Sequence, residues 1–109
     1  MTEKQKMLSG KLYNHYDDEL TSERSKAALL LHDYNYTSDS NLTTTNLLSK
    51  ILGKMGKNVE FKRSFVCDYG YNIEVGDHVF VNYNCIFLDC SKITIGSNVL
   101  IAPNVQFYR

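Results

Sequence analysis

From Ile73 onward, aliphatic or aromatic residues recur every six positions, and most stand just before a small or turn-forming neighbour. The first row runs Val75-Gly76, Val81-Asn82 and Phe87-Leu88, then Ile95-Gly96, Ile101-Ala102 and Phe107. Leu88 is the one departure from a small follower. A second row lies two positions earlier at Ile73, Val79 and Cys85, then Ile93, Val99 and Val105. The count slips once, by two residues, between Phe87 and Ile95, and then returns to six. Residues two apart in an extended chain point the same way, so each unit reads as a short strand followed by a bend. Gly76, Asn82, Asn84, Gly96, Asn98 and Asn104 fall at or near the bends, where Gly and Asn tolerate unusual backbone angles. Such coils stack in one dimension, pairing backbones and lining up like side chains inside. Short antiparallel strands would also put alternate residues on one face. Hairpins, however, give no reason for the count to return to six after the slip.

Before Gly56 the pattern is helical. Asp17 can cap a helix whose first turn carries Asp18 and Glu19, with Leu20, Ala27, Leu31 and Tyr34 on one stripe. Glu23, Arg24 and Lys26 fall largely on the opposite, solvent side. Residues 35–41, rich in Asn, Ser, Thr and Asp, read as a loop that supplies the next cap. A second helix is predicted with Leu47, Leu48, Ile51, Leu52 and Met55 on one face and Gly56 at its end. Gly53 within it costs about 1 kcal/mol relative to Ala. Two amphipathic helices bury little by themselves and need a surface to lie against. The chain therefore divides into a helical part, 1–57, and a repeat part, 58–109.

Charge and composition exclude several partner classes. Lys plus Arg and Asp plus Glu are 12 each, and the counts stay balanced on either side of Lys57, 8 against 7 and then 4 against 5. Neither half has the basic excess of a nucleic-acid binder or a cationic membrane face. No apolar run is long enough to span a bilayer, and the first residues lead into no apolar signal region, so the expected location is cytoplasmic. Cys67, Cys85 and Cys90 are an odd number without metal-ligand spacing. They are expected to be small buried hydrophobes rather than disulfide or zinc residues.

Three tracts carry a resemblance. They are Cys67-Asp68-Tyr69-Gly70-Tyr71-Asn72-Ile73, Phe80-Val81-Asn82-Tyr83-Asn84-Cys85, and the run from Ile93-Thr94-Ile95-Gly96 through Ala102-Pro103-Asn104-Val105. Together with Met7-Leu8-Ser9-Gly10-Lys11-Leu12-Tyr13 and the acidic start of the first helix, they resemble the maltose/galactoside O-acetyltransferase family of hexapeptide-repeat enzymes. The resemblance implies an α+β chain: an N-terminal helical cap, then a left-handed parallel β-helix of triangular section. About two coils of it fall within 58–109. The hand follows from the resemblance alone. It also implies a homotrimer, with a sugar acceptor and acetyl-CoA meeting between neighbouring prisms. A histidine takes the hydroxyl proton as the oxygen attacks the thioester, and no metal takes part.

Site residues carry over one at a time. Asn82 matches the family asparagine that hydrogen-bonds the acceptor sugar; read without the family, it is equally a bend-forming Asn. Its amide both donates and accepts, which suits hydroxyls. Asp68 occupies a position at which some members bind acceptor with a Ser and many have Asp; a carboxylate there could grip a hydroxyl, and a solvated loop carboxylate is the alternative. Asp89 matches an acidic position on the interface side and is the third substrate-binding candidate. The cap around Asn14 and His15 departs from the family pattern.

The resemblance places the catalytic histidine just after Arg109, so no catalytic residue is expected within the 109. His15 and His32 lie in the cap, and His78 sits at a bend after Gly76-Asp77. The chain is thus expected to be a C-terminally truncated, inactive form of such an enzyme. An alternative is a non-catalytic cap-plus-solenoid module for sugar binding or subunit docking. A more distant one is a hexapeptide acyltransferase acting on an amino acid or aminosugar.

Overall fold

A computed structural model of the chain describes residues 1–37 and 41–109. Among the described residues three helices precede nine short strands. The first helix, α1 (Glu3–Leu8), is not among the sequence expectations. Thr2 starts it with a capping box: its hydroxyl accepts from Gln5 N at 3.1 Å, and the Gln5 side chain accepts from Thr2 N at 2.9 Å. The second helix, α2 (Asp18–Tyr36), is capped by Asp17, whose carboxylate accepts from Leu20 N at 3.2 Å. Leu20, Ala27, Leu31 and Tyr34 are its buried residues, as the stripe predicts. The helix nonetheless runs two residues into the expected loop. Asn35 holds it against the repeat by donating to Phe65 O at 2.9 Å and accepting from Phe65 N at 3.0 Å. Of the rest of that loop, Thr37 is the C-cap of α2, Asn41 begins the next helix, and positions 38–40 lie outside the described residues.

The third helix, α3 (Asn41–Ile51), stops well before Gly56. Leu48, Ile51 and Leu52 are buried as expected, but Met55 belongs to a strand. The reason lies at Gly53. Its N–H reaches the carbonyls of Gly70 and Ile73 at 3.1 and 3.0 Å, so the backbone has already joined the repeat. A Cβ here would fall on the Tyr71 carbonyl oxygen, which leaves room for glycine alone.

The strands are β1 (Lys54–Met55), β2 (Glu60–Phe61), β3 (Phe65–Cys67), β4 (Ile73–Val75), β5 (Phe80–Val81), β6 (Cys85–Leu88), β7 (Ile93–Ile95), β8 (Leu100–Ile101) and β9 (Gln106–Tyr108). They form three parallel sheets, β1-β4-β7, β2-β5-β8 and β3-β6-β9, which make the three walls of a coil. Partners stand 20 residues apart in every wall, as in Ile73 with Ile93, Val81 with Ile101 and Phe87 with Phe107. Eighteen residues of three six-residue units plus the slip of two account for that step. The layers number three, since β1 to β3 form one below the repeats counted from Ile73. The strand β1 also lies on the cap side of a division at residue 57.

Both rows of repeats point inward. Ile73, Val75, Val79, Val81, Cys85 and Phe87 are at most 5% exposed, which excludes a sheet with alternate residues on two wet faces. The helices lie against this coil: Leu31, Tyr34, Leu48, Ile51 and Leu52 share one core with Phe61, Phe65 and Phe87. Tyr34 also donates from its hydroxyl to the Phe61 carbonyl. The bends repeat with the layers. Asn58, His78 and Asn98 all have φ near +60° at the corner between the first and second walls. Asn84 and Asn104 do so between the second and third. Asn and His visit this left-handed region more readily than other side chains. Of the bend residues expected from sequence, Gly76, Gly96 and Asn82 keep ordinary φ values. No described helix is long and apolar enough to cross a membrane.

Candidate functional site

The third wall has a corner along each edge, and the sequence-derived site residues divide between those corners. Asn82 lies where β5 turns into β6. Its backbone N–H joins the layer above through Ile101 O at 3.0 Å, which anchors the turn. The side-chain oxygen accepts from Tyr83 N at 2.9 Å. The Nδ2 group makes no hydrogen bond to another described residue, so two N–H donors remain at a half-buried corner. Asp68 lies at the opposite corner, after β3, and is half-buried too. Its Oδ2 is approached by the Cys90 thiol at 3.7 Å. Between the two corners the wall's outward residues include Val66, 41% exposed, and the half-buried Ile86 and Leu88. The result is an apolar strip with an amide at one edge and a carboxylate at the other.

Asp89 requires a correction. The sequence offers it as a further acceptor contact, but it is 0% exposed and both of its oxygens are occupied. Oδ1 accepts from the N–H groups of Asp68 at 3.2 Å and Tyr69 at 2.9 Å. Oδ2 accepts from Gly70 at 2.8 Å and Asn72 at 3.2 Å. The Asn72 side chain returns the contact, donating to Asp89 O at 2.8 Å. Burial pushes the Asp89 carboxyl above the ordinary aspartate range, while the N–H donors pull the other way. The structure therefore brings Asp68 and Asp89 together through the backbone and leaves Asn82 at the far corner.

The cap closes over the same loop. Glu23 accepts from Tyr71 OH and from Lys4 Nζ, both at 2.7 Å. Arg24 donates to Tyr69 OH at 2.7 Å and to His15 O at 2.8 Å. Tyr13 OH donates to Cys90 Sγ at 3.3 Å. Glu23 and Arg24, expected on the solvent face of the helix, thus turn toward the coil. Their partners lie 48 and 45 residues away, a separation that no local pattern reveals. Tyr71 ionises far above the usual tyrosine range because its partial burial disfavours the charged form and its hydroxyl donates to the Glu23 carboxylate.

The cysteines are free; Cys67 and Cys85 are buried and Cys90 half-buried. Burial raises the Cys67 and Cys90 thiols above their ordinary range, so neither offers a thiolate nucleophile at neutral pH. No group of three or more described His, Cys, Asp and Glu side chains could hold a metal ion. The histidines stand elsewhere. His15 precedes α2, His32 is exposed on α2, and His78 occupies the first-to-second corner with Nδ1 3.3 Å from Asn58 Nδ2. A cleft between the helices and the second wall, lined by Tyr34, Leu48, Val59, Phe61 and Arg63, contains neither Asn82 nor Asp68.

Comparison with known proteins adds to this geometry. Residues 6–56 match the family model described as the maltose acetyltransferase hexapeptide capping motif. Nodulation protein L of Rhizobium meliloti is 40% identical over 108 residues, covering 98% of this chain and 59% of that protein. The crystal structure of a maltose O-acetyltransferase from Clostridium difficile 630 is 48% identical with a TM-score of 0.97, covering 99% of this chain and 58% of the other. A hexapeptide-repeat acetyltransferase from Vibrio cholerae, crystallised with acetyl-coenzyme A, is 35% identical with a TM-score of 0.87, covering 97% and 57%. The chain spans a little over half the length of the curated relatives it matches.

Proposed function

We propose that the chain, whose residues 6–56 match the maltose acetyltransferase capping motif, forms the cap and initial coils of a hexapeptide-repeat sugar O-acetyltransferase using acetyl-CoA. The observation that carries this reading is the third wall: a free amide donor at one edge, a carboxylate at the other, and an apolar strip between. Sugar hydroxyls both donate and accept. Asn82 Nδ2 would donate to one, and Asp68 would accept from another. With the acceptor held there, its oxygen attacks the thioester carbonyl; an O–C bond forms and the C–S bond breaks. An imidazole that removed the hydroxyl proton would return it to the departing thiolate.

Among the described residues no histidine stands on the third wall or at either of its corners. The 109 residues therefore supply acceptor contacts and scaffold without the base. Acetyl transfer is placed between neighbouring copies in a homotrimer, where the half-exposed apolar strip of one coil would be covered by the next. The coil is taken to be left-handed, in keeping with the resemblance.

Thiol release from acetyl-CoA tests the proposal. The 109-residue chain should release none above background with maltose, a galactoside or glucose as acceptor. A chimera joining residues 1–109 to the downstream coils of the Clostridium difficile maltose O-acetyltransferase should release thiol in a maltose-dependent way. Release by the 109-residue chain itself would mean that the base is misplaced, and a folded but inert chimera would count against the sugar-transferase reading.

A further inference from the structure

We propose that Asp89 is the positioning residue for Asp68: it fixes the backbone of residues 68–72 and so aims the Asp68 carboxylate at the acceptor. The inference deepens the reading of Asp68 given above and rests on it. Four of the five backbone N–H groups in 68–72 end on this one carboxylate, at 2.8 to 3.2 Å. A buried charge is costly unless it is hydrogen-bonded, so a carboxylate here is explained by the donors it gathers and not by packing. An apolar residue in its place would leave those donors orphaned. Gly70 completes the turn at φ +86°, pressed against the Ile51 carbonyl where no Cβ fits.

The outer side of the loop is held independently. Arg24 reaches Tyr69, Glu23 reaches Tyr71, and Tyr13 reaches Cys90, whose thiol points at Asp68 Oδ2. With its backbone N–H on Asp89 and one oxygen facing Cys90, Asp68 has few orientations left. Its other oxygen is the one available to a sugar hydroxyl. Replacing Asp89 by Asn keeps the size but substitutes an amide nitrogen for one acceptor oxygen, so two of the four donors lose their partner.

The test uses the 109-residue chain labelled with 15N and 13C. Three-bond couplings to the Asp68 carboxyl carbon should report one side-chain rotamer in the wild type and averaging in Asp89→Asn. The amide signals of the strand residues Val75 and Val81 should stay in place. In maltose titrations Asp68→Asn and Asp89→Asn should each weaken binding at least tenfold, and the double variant should be no weaker than Asp68→Asn alone. Asn72→Ala removes only the amide that ties down the Asp89 and Cys90 carbonyls. It should give partial averaging and decides the matter if Asp89→Asn does not fold. A single retained rotamer in a folded Asp89→Asn chain, or losses that multiply in the double variant, would overturn the proposal. Averaging in Asp89→Asn with no maltose binding by the wild type would sink the acceptor reading and leave the positioning role standing.

Discussion

Phe87 is the side chain on which the layered core can be tested most sharply. It is 0% exposed and meets the rings of Phe61 at 5.7 Å, Phe65 at 5.5 Å and Phe107 at 4.6 Å between centroids. Phe61 and Phe65 belong to the layer below and Phe107 to the layer above, each held by its own strand pairing. The surroundings therefore cannot close over the space that Phe87→Ala would leave. Truncating a buried Phe costs about 3–5 kcal/mol. Each lost aromatic pair contributes about 0.5–1.5 kcal/mol beyond its area, which puts this site near the upper end. Against the roughly 5–15 kcal/mol that stabilises a domain, the loss is a third or more. Urea unfolding followed by circular dichroism should show the midpoint falling by roughly 2 M with little change in slope. The neighbouring Ile86 points outward, and Ile86→Ala should cost only about 1 kcal/mol. Equal losses at the two positions would refute the inward assignment of the Phe87 row.

Other outcomes follow from single contacts. Asn98→Ala should cost about 1–2 kcal/mol because its φ of +60° suits Ala poorly, while Asn98→Gly should cost far less, as read by thermal unfolding. Arg24→Ala should lower stability by about 1–2 kcal/mol, and hydrogen exchange should then speed up at residues 68–72 before it does in the strands. Burial raises the Tyr34 hydroxyl to about 12, and tyrosine is neutral below its pKa. The unfolded chain ionises first, near pH 10, so this contribution is intact below that pH. It is lost as pH rises toward 12, by roughly 2–3 kcal/mol. Unfolding free energies measured between pH 9 and 12 should fall, and Tyr34→Phe should flatten that slope.

The inward rows were legible because a strand has period two and the bends return every six residues, so Ile73, Val79 and Cys85 announce themselves without a partner. The slip of two was legible too, and it is the extra length of the third corner in every 20-residue step. Met55 misled because it fits both a helical stripe and a strand pointing inward, and only the pairing of β1 with β4 decides between them. The helix α1 could have been read from the Thr2 and Gln5 spacing. Asp89 could not. Its donors are backbone N–H groups 17 to 21 residues earlier, and a sequence displays a carboxylate without displaying what it faces. The same holds for Glu23 and Arg24, whose polar character suggested solvent while their partners were distant tyrosines.

The functional reading stands most directly on Asn82. Steady-state kinetics of the chimera, with maltose and acetyl-CoA varied separately, should show Asn82→Ala raising KM for maltose and lowering kcat while leaving KM for acetyl-CoA nearly unchanged. An unaltered KM for maltose in a folded variant would contradict the account.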